Sequence, residues 1–217
     1  MIATARYLLA ELARSRRFVA PLLLLAAGVI VLYAQPPNPV LATAGVAAAF
    51  LFPAHCWLAL TFFNSQSAPD RHVLAATVGG RDYVLGRLLA ALALMAIVSL
   101  AALAVPLALG AFERTPTLAE CGLVVLANLV TTGAGTALAA PFAQPLMRSR
   151  VVSVLGLAAC ALLTIPLGLS PAVATAQALD TTHAASVPGR IAGDLLGVAV
   201  FAVAVALVCA RQWRRSE

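Results

Sequence analysis

Long apolar runs without acidic or basic residues, separated by short polar segments, make up most of this chain. Residues 18–69 contain no Arg, Asp or Glu, and such a run is too long for one helix, since about 20 residues suffice to cross a membrane. Three prolines between Gln35 and Pro39 divide it, because proline cannot continue a helix and disfavours helix in the preceding residue. The pattern predicts an all-α integral membrane protein with six spans, at residues 18–34, 40–63, 83–110, 118–140, 151–169 and 191–210.

A further helix is predicted before the first span, in residues 1–17. Apolar residues there recur at near-helical spacing, while the charged residues Arg6, Glu11 and Arg14 fall on other faces. This pattern is typical of an amphipathic helix that lies in the cytoplasmic interface of a membrane. The alternative is a cytoplasmic extension of the first span that anchors it through its arginines.

The segment between the second and third spans carries the signals of a short helix. Ser67 offers a side-chain N-cap with Asp70 three positions later, which resembles a capping box, and Gly79 and Gly80 supply a stop. We predict a helix over residues 68–78 with a polar start and an apolar face behind it. The apolar face either packs against another part of an assembly or lies on the lipid surface.

Composition and charge predict that these spans lie in a membrane and how they are oriented in it. The chain is 62% hydrophobic and 10% charged, which excludes an ordinary soluble domain with about 25% charged residues. All fourteen basic residues are arginine, and a cytoplasmic N-terminus leaves only Arg114 and Arg190 on the outer side. Because cytoplasmic loops are enriched in positive charge, we predict a multi-pass protein of the inner (plasma) membrane with both termini cytoplasmic, including the tail 211–217. The net charge of +6 therefore requires no nucleic-acid partner.

The residue types also exclude several kinds of chemistry. The chain has no lysine, so it has neither the P-loop lysine of an ATPase nor the lysine of a Schiff-base enzyme. It contains no H-E-x-x-H or G-x-S-x-G sequence, and its four cysteines form no C-x-x-C pair. We interpret the cysteines as small buried hydrophobic residues and expect no catalysis, metal site or cofactor in this chain.

Polar side chains inside the predicted spans are candidates for function, because burying them in lipid is expensive. His55 in the second span either lines a substrate pathway or hydrogen-bonds to a neighbouring helix. Asn128, Thr131 and Thr132 form a polar group in the middle of the fourth span. This group either lines a pathway or joins tightly packed helices through interhelical hydrogen bonds.

With these features the chain resembles the membrane subunit of ABC transporters of the type-2 (exporter) permease family. The likeness is carried by the basic stretch from Arg14 to Arg17, by the helix predicted at 68–78, and by the stretch from Val78 to Ala90. In this last stretch a small basic turn precedes Leu-Gly-Arg, which is similar to the step with which the family enters the membrane.

The resemblance implies that residues 68–78 are a coupling helix that docks into a separate ABC ATPase subunit. Residues 2–15 would be the elbow helix, and residues 171–190 would match short external helices. Contacts with the ATPase are expected at five residues, Asp70, Arg71, His72, Arg81 and Asp82. A second permease subunit, identical or not, would complete the assembly, with ATP and Mg²⁺ on the ATPase alone. Many members have an acidic residue where the second span ends, and this chain has Asn64-Ser65-Gln66 there.

The function implied is export of a drug-like, lipid or peptide substrate, driven by ATP hydrolysis on the partner. Three alternatives stay open. The first is a haem-exporter-type permease, which has a similar length and number of spans. The second is a membrane-embedded immunity or binding protein that sequesters its ligand without transport, and the third is an intramembrane enzyme that uses His55.

Overall fold

The computed structural model of the protein describes residues 2–34, 37–144, 147, 149–164, 171–180 and 193. Within these ranges every regular element is a helix, as predicted. The predicted sixth span, apart from Gly193, and the predicted tail 211–217 lie outside the described residues.

The bounds of the helices follow the apolar pattern closely. The helices are α1 (Ile2–Ser15), α2 (Val19–Leu32), α3 (Val40–Phe63), α4 (Ala68–Val78), α5 (Gly80–Ala108), α6 (Leu118–Ala139), α7 (Arg150–Thr164) and α8 (Pro171–Asp180). A single 3₁₀ turn, Ala140–Phe142, extends α6. The bounds of α3 and α4 are those predicted, and α2 is shorter than the span predicted for it. Residues 165–169 of the predicted fifth span lie outside the described residues.

Three helical segments are long and apolar enough to cross a membrane, at Val40–Phe63, Asp82–Ala108 and Leu118–Phe142. The helices α1 and α2 meet at an angle of 81° and reach the necessary length only as a pair. The described part of the chain therefore has three such helices, or four if the bent pair is counted as one. This is the architecture of a membrane protein.

The helix α3 forms the centre of the bundle. It packs against α2, α6, α7 and α8, and 67% of its most apolar window is buried, compared with 28% for α5. The helix α6 runs parallel to α3, since Val124 packs beside Val40 near one end and Gly135 faces Cys56 further along. Among the three long apolar helices, α5 is the most exposed, and it lies at the edge of the described bundle.

The helices α7 and α8 together cover the length of α3 on one side. Leu157 and Ala161 of α7 pack in one cluster with Cys56 and Leu60, while Leu179 of α8 lies beside Gly45, nearer the start of α3. The two helices therefore run antiparallel to α3, one after the other.

The helix α8 forms the first half of the segment 171–190, which the resemblance matches to short external helices, and it packs against the bundle. Ala172 and Thr175 are fully buried in the bundle. Alanines give α8 a narrow face, and Gly45 lets that face approach α3 closely, as is usual for helix contacts in membranes.

The end of the bundle that carries α1 and α4, called here the α4 end, shows the predicted helix signals. The Ser67 Oγ accepts a hydrogen bond from the backbone N–H of Asp70 at 3.3 Å and donates one to the Asp70 carboxylate. Gly79 has a φ of +86°, a conformation in which a side chain would be strained, and it separates α4 from α5.

At the opposite end a capping box begins α6. The Thr117 hydroxyl accepts from the backbone N–H of Glu120 at 3.3 Å, and the Thr117 N–H donates to the Glu120 carboxylate at 2.9 Å. The same carboxylate pairs with both terminal nitrogens of Arg114, at 3.0 and 2.5 Å. The hydrogen bond and the negative charge of Glu120 raise the pKa of the Arg114 guanidinium.

The glycines provide a test of this packing. A Cβ on Gly135 would lie 3.1 Å from the backbone nitrogen of Cys56, and one on Gly45 would lie 3.0 Å from backbone atoms of Ala176. Because backbone atoms cannot rotate away, Gly45→Ala and Gly135→Ala should each lower the free energy of unfolding by roughly 1–3 kcal/mol. Thermal unfolding in detergent micelles measures the effect.

Gly122 on α6 is the matched control, because a Cβ there meets no atom within 4 Å. Gly122→Ala should raise the free energy of unfolding by up to about 1 kcal/mol through its better helix propensity. Unchanged stability of both Gly45→Ala and Gly135→Ala would contradict the close approach of α3 to α6 and α8.

Candidate functional site

A small cavity of about 20 Å³ lies between α3, α5 and α6. Its polar lining comes from His55 of α3 and from Thr132 and Thr136 of α6, and the rest is apolar, including Met95 of α5 and Phe62 of α3. The structure therefore places two of the residues singled out from the sequence, His55 and Thr132, in one site.

The imidazole of His55 is the least satisfied group in this cavity. The residue is 3% exposed, and neither ring nitrogen has a hydrogen-bond partner among the described residues. Leaving a buried polar group unpaired costs about 1–3 kcal/mol, so the site carries a cost in stability. Buried polar groups that a fold keeps at such a cost are candidates for function.

The two threonines contribute acceptors to the cavity. The Thr132 hydroxyl donates to the carbonyl of Asn128 at 2.7 Å, and the Thr136 hydroxyl donates to the carbonyl of Thr132 at 2.8 Å. Since both hydroxyl protons are used within α6, only the oxygen lone pairs face a ligand. Together with His55 they offer one N–H donor and several acceptors.

The remaining polar residues of α6 are bonded within their own helix. The Asn128 side-chain amide donates to the carbonyl of Val124, and the Thr131 hydroxyl donates to that of Ala127, each at 2.9 Å. Neither residue lines the cavity. These bonds lie within α6, whereas the packing interpretation expected bonds between helices. They form because the carbonyl four residues earlier lies within reach of the side chain and no water competes for it.

The cavity limits what this conformation can hold. A volume of about 20 Å³ accepts one water-sized group, whereas pockets for drug-sized molecules have roughly 300–1,000 Å³. No group of three His, Cys, Asp or Glu side chains that could hold a metal ion occurs in the described part of the chain. The site is thus a small, mostly apolar gap between three helices with a few polar side chains, and it is too small for a drug-sized substrate.

A second polar site lies at the α4 end and joins three elements. The hydroxyl of Tyr83 on α5 donates to the side-chain oxygen of Gln66 at 2.9 Å. The amide nitrogen of Gln66, in the turn after α3, donates to the carboxylate of Glu11 on α1 at 3.0 Å. Gln66 and Tyr83 are both buried, so this chain of bonds fixes α1, the turn and α5 to one another.

Two arginines near this site donate hydrogen bonds to carbonyl groups at the carboxyl end of α3. Arg87 donates to the carbonyl of Phe63 at 2.8 Å and lies over its ring, and Arg17 donates to the carbonyl of Asn64 at 3.3 Å. These carbonyls have no partner within the helix, and positive charge near them is favourable.

The five residues expected to contact an ATPase do not share one surface. Asp70 and His72 are exposed at the start of α4, whereas Arg71 is 4% exposed and donates to the side chain of Gln144 at 3.4 Å. Asp82 is half-buried in the first turn of α5, and the side chain of Arg81 lies outside the described part of the structure. Arg71 thus lies inside the protein rather than on a docking face.

Sequence reasoning missed several residues of both sites. Thr136 follows Thr132 by one helical turn, a spacing that could have identified it. Gln66, Tyr83 and Gln144 carry no such signal, because their roles depend on contacts between elements distant in sequence.

Comparison of the chain with protein-family models, with curated proteins and with solved structures finds no match.

The burial of His55 predicts an unusual response to mutation. His55→Leu should leave the free energy of unfolding unchanged or raise it by up to about 2 kcal/mol, because it removes two unpaired nitrogens from an apolar site. His72 is the control, and because interactions of an exposed side chain contribute little, His72→Leu should change stability by less than about 1 kcal/mol. If His55→Leu were clearly destabilising in thermal unfolding, the imidazole would be hydrogen-bonded in the folded protein.

Proposed function

We propose that this chain is the membrane-spanning permease subunit of an ATP-driven exporter, in which a separate ABC ATPase subunit hydrolyses ATP. The observation that carries the proposal is the position of α4, a short exposed helix held against the end of an apolar bundle. Val73 on its surface is 64% exposed, while Arg71 on its other side is buried. A helix that docks on a partner and passes on its movement needs both an exposed face and a firm attachment.

The attachment of α4 reaches both halves of the bundle. Arg71 binds the side chain of Gln144, whose backbone N–H donates to the side chain of Asn64 at 3.0 Å. Gln144 follows α6, and Asn64 ends α3, so a movement of α4 would reach both helices. We infer that nucleotide-driven movement of the partner shifts α4 and thereby the helices around the His55 cavity.

Six crossings are also proposed, with both termini in the cytoplasm. The helices α7 and α8 follow one another along α3, which supports reading them as one interrupted crossing. Together with the predicted first span 18–34, which contains α2, with α3, α5 and α6, and with the apolar residues 191–210, this makes six. The even count is supported by the arginines, since it places both arginine-rich termini on the cytoplasmic side.

The absence of lysine from the chain supports a separate ATPase, because a P-loop requires one. Two permease subunits are proposed to form the transport unit, with the pathway between helices that include α3, α5 and α6. The cavity at His55, of about 20 Å³, is too small for a drug-sized substrate in this conformation. The class of substrate proposed is a drug-like molecule, a lipid or a peptide.

An exposed apolar residue on α4 allows a direct test. Val73→Asp should weaken co-purification with the partner ABC ATPase of this proposal roughly tenfold or more, because it places a charge in an apolar contact. The same variant should abolish substrate-stimulated ATP hydrolysis by the reconstituted complex, with thermal unfolding of the isolated chain unchanged.

Leu118 at the opposite end is the matched control. It is 91% exposed in the first turn of α6, where an acidic residue suits the start of a helix. Leu118→Asp should leave both co-purification and ATP hydrolysis unchanged. If no ATPase co-purifies with the unmodified chain, or if Val73→Asp acts like Leu118→Asp, the proposal is wrong.

A further inference from the structure

The helix α1 has a face that the described part of the bundle leaves exposed. Its buried face, with Leu8 and Leu12, packs against Ala90 and Ala91 of α5. On the opposite side Arg6, Ala10 and Arg14 follow one another at intervals of four residues and are all exposed. Residues at this spacing lie in one row along a helix.

The charge of this row is not balanced within α1. Glu11 is the acidic residue of the helix, and it is turned towards the turn after α3, where it accepts a hydrogen bond from Gln66. Arg16 and Arg17, at the bend between α1 and α2, are exposed as well. The surface of α1 and its bend is therefore positive along its whole length.

The shape of the surface favours a charged ligand over deep insertion into lipid. Ala3, Ala10 and Ala13 are exposed around the two arginines of the row, so a ligand can approach the helix closely. The exposed large side chains on α1 are Ile2 and Tyr7, which is too little apolar surface to anchor the helix by itself.

The surroundings of α1 place this surface at the level of lipid headgroups. Leu88, Leu89 and Leu92 of α5 are exposed next to the alanines on which α1 packs, and such a surface faces hydrocarbon in a membrane protein. Because α1 and α2 meet at an angle of 81°, α1 and its arginines do not follow the direction in which α2 would cross the membrane. Basic clusters immediately beside membrane helices attract anionic lipids.

We propose that α1 and its bend bind the phosphate headgroups of anionic phospholipids, through Arg6, Arg14 and Arg16. The lipid occupies the boundary between the charged face of α1 and the apolar surface of α5. This binding requires neither an ATPase nor a transported substrate, so it stands apart from the transport proposal.

Arg16 adds an independent observation. Its φ is +51°, in the left-handed region that favours glycine. The sequence therefore has an arginine at a position where glycine would be less strained. Arg16→Gly should therefore relieve strain and remove charge at once. Lipid binding and stability are then expected to change in opposite directions.

The test uses the purified full-length chain in detergent, titrated with phosphatidylglycerol or phosphatidylcholine. Bound lipid is counted by native mass spectrometry, and thermal unfolding is followed in parallel. The unmodified chain should retain phosphatidylglycerol in preference to phosphatidylcholine, and Arg6→Gln with Arg14→Gln should reduce that preference roughly tenfold or more. Inorganic phosphate at the same concentration should neither bind nor stabilise comparably, which separates a lipid headgroup from a free anion.

Three controls make the outcome decisive. Arg114→Gln with Arg150→Gln has the same net charge as the α1 double variant and should keep the preference. Arg6→Lys with Arg14→Lys should also keep it, because the positive charge remains. Arg16→Gly should weaken phosphatidylglycerol binding without lowering the unfolding temperature. Equal retention of the two lipids by the unmodified chain, or an unchanged preference in the α1 double variant, would overturn the proposal.

Discussion

The close approach of α3 to α6 and α8 is the contact on which the rest of the structure depends. Helices in a membrane gain little from the hydrophobic effect when they associate, so their contacts depend on van der Waals packing between small residues. Gly135 brings α6 against the backbone of α3 at Cys56, and Gly45 brings the backbone of α8 against α3. Because α3 is enclosed on these sides, α5 is left at the edge with its apolar surface exposed.

The same environment decides how polar side chains are placed. Without competing water, Asn128, Thr131 and Thr132 each turn back to a carbonyl of their own helix, so α6 carries polar residues without requiring partners elsewhere. His55 has no such solution, since its ring nitrogens are unpaired in the described structure. The polar side chains of α6 are thus hydrogen-bonded within their own helix, whereas His55 would need a partner from outside α3.

The periodicity of the sequence predicted most of the helices because their ends are determined locally. Ser67 and Gly79 fix the start and end of α4 through their own backbone neighbours, and both bounds were predictable. The burial of Arg71 was not, because the position of Gln144 follows from how α6 packs and not from any nearby residue. For the same reason an alanine-rich segment such as α8 gives no indication in sequence of whether it lies outside the bundle or inside it.

The hydrogen bonds of Gln66 have a consequence for which residues this turn tolerates. Its amide oxygen accepts from Tyr83 while its amide nitrogen donates to Glu11, so both polar atoms of one side chain are used. A carboxylate at this position would keep the first bond but would face the carboxylate of Glu11. In this turn the negative charge comes from Glu11 of α1. A change at either residue is therefore compatible with the fold only if the other changes with it, which makes positions 11 and 66 a pair expected to vary together.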